Sequence, residues 1–324
     1  MKKIISLLLV LFAAHGAIAQ IVKAVIPEAM FLQAVADTSN VNEAGGTPAK
    51  PHLWEFHGKN GLAFSQVSYS DSWESGGVPN LTLRATTNLS LTYKKRLIYF
   101  QSVLDGAYAM TWDKVTHLQK KEDRFQFTNT FGIRTAEQSK FYYTALVDLK
   151  SQFTPGYKSP ADETVISRFF SPAYMTTSLG MSFKDGDEWD ITLAPISGRF
   201  TFVLDTAISR MGIYSEVKPG ETTAVNMGCY AGVIYKKEFL KMMYFNSKLE
   251  LFSNYTDNPQ NIDVDWENKL GFKITPFLAA ELYCRLVYKD KSRYTVTLPD
   301  GSTELHGPRL QINESFNIGL TYNF

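Results

Sequence analysis

The sequence predicts an all-β fold: a transmembrane antiparallel up-and-down β-barrel of about 12 strands, with both termini on the periplasmic side. Three observations predict it. After Gly58, apolar and polar residues alternate with a period of two through most of the chain, the pattern of strands with one apolar and one polar face. Most of these segments run to about 12 residues or more, enough to cross an apolar band with tilt and longer than the usual soluble strand. Long and short connections alternate along the chain, as in outer-membrane barrels with short periplasmic turns and long outer loops.

Composition is consistent with this and excludes some classes. The chain has 324 residues, 44% of them hydrophobic and 14% aromatic, with a mean hydropathy of −0.16. A bundle of membrane helices would be far more apolar. Lys and Arg number 33 against 32 Asp and Glu. That balance gives no reason to expect nucleic acid as a partner, because phosphate binding needs clustered positive charge.

The elements follow in order. Lys2 and Lys3 precede an apolar run from Ile4 to Ala14, and Ala17-Ile18-Ala19 ends at Gln20. This is the pattern of a secretory signal peptide spanning residues 1–19. The run is too short to span a bilayer as a helix. Residues 20–57 read as a periplasmic extension, and Asp37 to Lys50 is rich in Asn, Ser, Gly, Thr and Pro, the composition of a linker. Residues 58–324 form the barrel. Its strands are predicted at 61–69, 81–94, 97–112, 123–135, 141–154, 173–184, 189–205, 224–236, 243–255, 262–274, 277–289 and 310–324.

Individual segments justify the parity. Leu81, Leu83, Ala85, Leu89 and Leu91 oppose Thr82, Arg84, Thr86, Asn88 and Ser90. Ile262, Val264, Trp266, Leu270 and Phe272 oppose Asp263, Asp265, Glu267, Lys269 and Lys273. In 189–205 the parity breaks. Trp189, Ile191 and Leu193 are apolar at odd positions, Phe200 and Phe202 at even ones, with Pro195 and Gly198 between. A bulge there would shift the register by one and keep both halves on the lipid face. Aromatic residues near strand ends (Tyr93, Trp112, Phe141, Trp189, Tyr235, Tyr255, Tyr288, Tyr322) mark interfacial girdles. Cys229 and Cys284 fall on the apolar face and read as small hydrophobes rather than a disulfide or metal pair.

The last strand carries a further signal. Asn317, Gly319, Tyr322 and Phe324 fit polar-x-Gly-x-x-aromatic-x-aromatic at the chain end. This resembles the C-terminal β-signal read by the outer-membrane barrel assembly machinery, where one alternating strand edge pairs with another. Lipid and that machinery are therefore the expected partners, and the outer membrane the expected location.

Several words exceed generic patterning: FSQVSYSDSWESGG (Phe64 to Gly77), QFTPGY (Gln152 to Tyr157), SPAY (Ser171 to Tyr174), SGRFTFV (Ser197 to Val203), LFSNY (Leu251 to Tyr255) and VDWE (Val264 to Glu267). In this order, over residues 54 to 324, they resemble a Bacteroidota outer-membrane β-barrel family catalogued as a domain of unknown function. Ser72-Trp73 stands where that family more often has Asn-Trp. The resemblance implies barrel and compartment, and implies no catalytic or ligand residue.

The polar face would line a lumen holding Arg84, Asp105, Arg124, Asp148, Lys150, Arg199, Asp205, Lys248, Glu250, Asp265, Glu267, Lys269, Glu281 and Arg285. Both signs occur together. Either they line a narrow, porin-like channel for small polar solutes, or they pair across a filled, rigid interior. Twelve strands lie between filled and open barrels. An accessory role in secretion, envelope assembly or surface organisation, through an envelope protein partner, is the alternative. Catalysis is not expected. After the signal peptide the histidines are His52, His57, His117 and His306; none reads as part of a spanning strand, and no Gly-rich phosphate loop or zinc spacing occurs. Asp257, Asn258, Asp263 and Asp265 read as rim and lumen acids rather than a calcium site. No cofactor is expected.

Overall fold

The computed structural model describes residues 53–68, 78–159, 162–239, 242–297 and 303–323. The signal peptide, residues 20–52 of the extension and Phe324 lie outside the described residues.

Among the described residues sixteen strands follow one another: β1 (Trp54–Val67), β2 (Asn80–Lys95), β3 (Ile98–Asp113), β4 (His117–Arg134), β5 (Phe141–Ser151), β6 (Gly156–Ser159), β7 (Asp162–Ser167), β8 (Ala173–Asp185), β9 (Trp189–Phe202), β10 (Thr223–Phe239), β11 (Met243–Asn254), β12 (Ile262–Lys273), β13 (Leu278–Tyr288), β14 (Tyr294–Thr297), β15 (Thr303–His306) and β16 (Gln311–Asn323). Twelve of them close a barrel in the order β1-β16-β13-β12-β11-β10-β9-β8-β5-β4-β3-β2. All neighbours are antiparallel. The other four form two hairpins, β6-β7 and β14-β15, within long loops. This is the expected up-and-down barrel.

Alternation decides which face each side chain takes. Leu83, Leu193, Leu282, Phe316 and Ile318 are exposed on the outer wall, while charged residues of the other parity turn inward. Paired rings cluster at the short-turn end: Trp54 with Tyr93 at 4.8 Å, Trp189 with Tyr235 at 4.4 Å, and Phe141 with Phe183 at 5.3 Å. Cys229 and Cys284 are free.

The bulge predicted in β9 is present. Leu179 of β8 pairs with Ile196 and Met181 with Leu193, so Ala194 and Pro195 together face Gly180. On the other side Gly228 pairs with Ser197 and Tyr230 with Ala194. One strand therefore spans 189–202 with its register shifted once. A Cβ on Gly180 would run into the backbone of Leu193 and Ala194, which is why a glycine stands opposite the extra residue.

Four expectations need correction. β1 starts at Trp54 rather than residue 61, and pairs with β2 from Trp54–Tyr93 onward. His57 thus lies within a barrel strand, opposite Ser90. β4 starts at His117, so only residues 114–116 separate it from β3, and the alternation of long and short connections fails at this hairpin. Its turn is closed by Asp113, whose carboxylate accepts from the backbone N–H of Val115 at 2.8 Å and of Thr116 at 2.6 Å. The fourth is Asp205, discussed below.

Closure joins β1 to β16 over five residues only, from Lys59–Asn323 to Ala63–Gly319. Beyond that point, among the described residues, Phe64–Val67 and Gln311–Ile318 have no ladder partner across the junction. β16 continues its pairing on the other side, with β13, up to Val287–Gln311.

Candidate functional site: a divided, charge-paired lumen

Among the described residues, two cavities lie in the barrel interior. The outer one, under the long loops, has a volume of about 390 Å³ and is lined by residues such as Lys150, Arg199, Asp265, Arg285 and Tyr214. The inner one, toward the short turns, has a volume of about 1060 Å³ and is lined by Lys59, Arg84, Asp105, Lys269 and Glu281 among others. Arg124, Gln126, Tyr230, Lys248, Glu250 and Glu267 border both. The lumen is thus two chambers meeting at a mid-barrel constriction.

That constriction is an ionic lattice. Lys150 of β5 forms ion pairs with Glu250 of β11 and, at 3.5 Å, with Asp265 of β12. β8, β9 and β10 lie between β5 and β11 in the ring, so these pairs cross the lumen. Around them, Lys248 meets Glu250 at 3.2 Å, Tyr230 donates to Glu250 at 3.2 Å, and Arg285 grips Asp265 through two bonds of 2.7 and 2.8 Å. Asp148 accepts from the Thr128 hydroxyl at 2.7 Å and lies 3.8 Å from Lys150. On adjoining strands Arg124 holds Asp105 at 2.6 Å and Glu122 at 3.2 Å, Arg84 holds Glu122 at 2.7 Å, and Lys269 holds Glu267 at 2.9 Å. Nearer the short turns Lys59 donates to the Tyr244 hydroxyl at 2.8 Å, which donates to Glu281 at 3.1 Å. Among the described residues no buried side-chain N or O lacks a partner, as burial of so many polar groups requires.

Thirteen of the fourteen predicted lumen residues line one or both chambers. Asp205 does not. β9 ends at Phe202, and Asp205 caps the short helix α1 (Thr206–Arg210), accepting from the backbone N–H of Ala207 at 2.9 Å and Ile208 at 3.2 Å. The apolar run Val203-Leu204 continued the strand pattern in the sequence, yet Val203 turns into the loop's own core. Sequence reading missed Lys59, Glu122, Tyr230 and Tyr244. The two tyrosines shared the inward parity and were readable. Glu122 lay in what read as a loop.

The long loops over the outer chamber are folded. Val203, Ile208 and Val217 form a buried cluster, with Val165 of β7 and Tyr214 packed against it. The Tyr214 hydroxyl donates to the Ile166 carbonyl at 2.9 Å, and the Ser215 hydroxyl to the Lys291 carbonyl at 2.5 Å. This lid ties three loops together. Its base is fixed by Asp123 of β4, whose carboxylate accepts from the backbone N–H of Phe153 and of Thr154, each at 2.8 Å. The QFTPGY word is therefore an anchor for the lid.

The acids considered for calcium are occupied by bases. Asp257 meets Lys291 at 2.9 Å, Asp263 pairs with Arg199, and Asp265 pairs with Arg285. Among the described residues no cluster of His, Cys, Asp and Glu could hold a metal. Of the predicted assembly residues, Asn317, Gly319 and Tyr322 lie in β16. A Cβ on Gly319 would come within 2.6 Å of the Leu62 carbonyl oxygen, so this position needs glycine for β1 to approach.

A family model described as "Protein of unknown function (DUF3078)" matches residues 64–157. FSQVSYSDSWESGG and QFTPGY fall in this stretch; the four later words lie outside it. No curated protein matches the chain. Among solved structures it is similar to the COG4313 outer membrane channel from Pseudomonas putida F1, at 11% identity over 87% of this chain and 98% of that one, TM-score 0.36. It is similar to the translocator domain of the autotransporter NalP from Neisseria meningitidis, at 11% identity over 97% of each chain, TM-score 0.32. It is similar also to the CymD monoaromatic hydrocarbon channel, at 7% identity over 84% and 88%, TM-score 0.32.

Proposed function

We propose that this chain is an outer-membrane barrel giving narrow, gated passage to small polar solutes. One observation carries this: two chambers lined by charged and polar side chains, of about 390 and 1060 Å³, meet at a constriction of paired charges rather than at packed apolar side chains. Such a constriction opens by rearranging ion pairs, which needs no repacking of a core. Six acids and six bases line the outer chamber, so its net charge favours neither cations nor anions. In this reading residues 1–19 direct export and are removed, and Asn317, Gly319, Tyr322 and Phe324 address the chain to the barrel assembly machinery. The exposed apolar outer wall meets lipid. No catalytic role is assigned to any residue.

Planar-bilayer recording on refolded protein tests the proposal. Small, discrete conductance steps are expected. A protein that inserts, shows heat-modifiable mobility and yet gives no steps refutes it. The accessory-barrel reading draws on the interlocked lid, and a gentle-detergent pull-down that recovers only the barrel counts against it.

A further inference from the structure

One acid above the outer chamber comes from a loop. Glu216 sits in the turn Tyr214–Val217, closed by the Val217 N–H donating to the Tyr214 carbonyl at 3.0 Å. Val217, 4% exposed, anchors this turn in the lid core. The Glu216 carboxylate points toward the barrel wall, where it accepts from the fully buried Thr201 hydroxyl and lies 3.6 Å from Lys289. Lys289 stacks over the Tyr174 ring at 4.1 Å, and Glu216 is its one ion-pair partner among the described residues. Arg199 is nearby and is committed to Asp263. Burial opposes ionisation of Glu216, but Lys289, the Thr201 hydroxyl and Arg199 together hold its carboxyl below the ordinary glutamate range.

We propose that Lys289, Thr201 and Tyr174 form a binding site for the carboxylate of a small organic acid, and that Glu216 occupies it as an internal stand-in that keeps the lid down. An ammonium and a hydroxyl donor are what a carboxylate needs, and the Tyr174 face holds the ammonium in place. Lys289 also lines the outer chamber and keeps 32% of its side-chain surface open. A solute carboxylate entering the chamber therefore meets the same ammonium from below. Exchange of one carboxylate for another leaves Lys289 paired throughout and releases the lid. The proposal deepens the passage reading by naming a solute class, and its test does not depend on transport.

Tethering makes Glu216 a competitor at an effective concentration in the millimolar range, which lowers the apparent affinity for free carboxylate. Carbon-13 acetate is titrated into the refolded full chain in micelles, and bound acetate is read by NMR line broadening. Glu216→Ala vacates the site and should bind acetate at least about tenfold more tightly than the parent. Adding Lys289→Met should abolish that gain. Equal affinity of Glu216→Ala and parent, or a gain that survives Lys289→Met, overturns the proposal. Should Glu216→Ala fail to refold, the parent chain supplies the measurement. Trypsin cleavage after Arg210, exposed at the end of α1, should quicken several-fold in sodium acetate relative to sodium chloride at equal ionic strength and pH; equal rates overturn it. Acetate binding of the expected pattern in a chain without conductance refutes the passage reading and leaves the site in place.

Discussion

Replacing Lys150 with Met removes the cation that spans the constriction while keeping most of the side-chain volume. Three carboxylates lose a partner: Glu250, Asp265 at 3.5 Å and Asp148 at 3.8 Å. Removing one member of a fully buried pair costs about 3–5 kcal/mol. Here the cost is smaller, because each acid keeps another donor. Glu250 retains Lys248 at 3.2 Å, Asp265 retains both Arg285 bonds, and Asp148 retains Thr128 at 2.7 Å. Lys150 also keeps 26% of its side chain exposed to the lumen. We expect a loss of about 2 kcal/mol, scaled down from the buried-pair value. Glu250→Gln alone should cost a similar amount, and the double variant should cost less than the sum by about 1 kcal/mol or more. Stability is read by urea unfolding in lipid vesicles. In bilayers the Lys150→Met chain should show larger unitary conductance, since an ammonium that crosses the lumen at the constriction is gone. Additive losses together with unchanged conductance would refute the view that Lys150 both ties the walls and closes the lumen.

Three further outcomes follow from the geometry. Arg at Leu282, on the outer wall in mid-strand β13, should cost about 2–4 kcal/mol, whereas Arg at Ser90, of inward parity in β2, should cost much less; equal costs in vesicle unfolding would mean the faces are reversed. Gly180→Ala places a methyl group against the Leu193 and Ala194 backbone and should cost about 1–3 kcal/mol, read as lowered refolding yield. Because the Glu216 carboxyl titrates below its ordinary value, the lid contact is present at neutral pH and is lost as pH falls through that depressed range. Cleavage of the lid after Arg210 by an acid-tolerant Arg-specific protease should therefore accelerate on acidification, and Glu216→Gln should flatten the profile.

Most of the barrel was legible because a two-residue period survives wherever one face meets lipid and the other water. The β9 bulge was legible for the same reason: the parity flip between Leu193 and Phe200 had to be absorbed somewhere, and Pro195 marked the place. Legibility failed where both faces of a strand are wet. His117 to Arg124 reads HLQKKEDR, polar at nearly every position, yet it forms the first half of β4. It pairs with β3, whereas the β4–β5 ladder begins only at Phe125–Ser151. Trp54 to Gly61 failed likewise, with Glu55, His57, Lys59 and two glycines blurring the alternation. The lid left no periodic trace. Glu216 meets Thr201 and Lys289 only because Val203, Ile208 and Val217 collapse together, and no spacing rule encodes a contact made by an irregular loop.

The short ladder between β1 and β16 has a consequence for how the wall is made and unmade. It joins the two ends of the barrel sequence, some 260 residues apart at Lys59–Asn323, so its closure carries the largest loop entropy of any junction and comes last in folding. It is also the least reinforced line, five residues against the full 14-residue length of β1 on β2. Pulled at its termini, the cylinder should unzip along this line first and open into a sheet while every other hairpin is still intact.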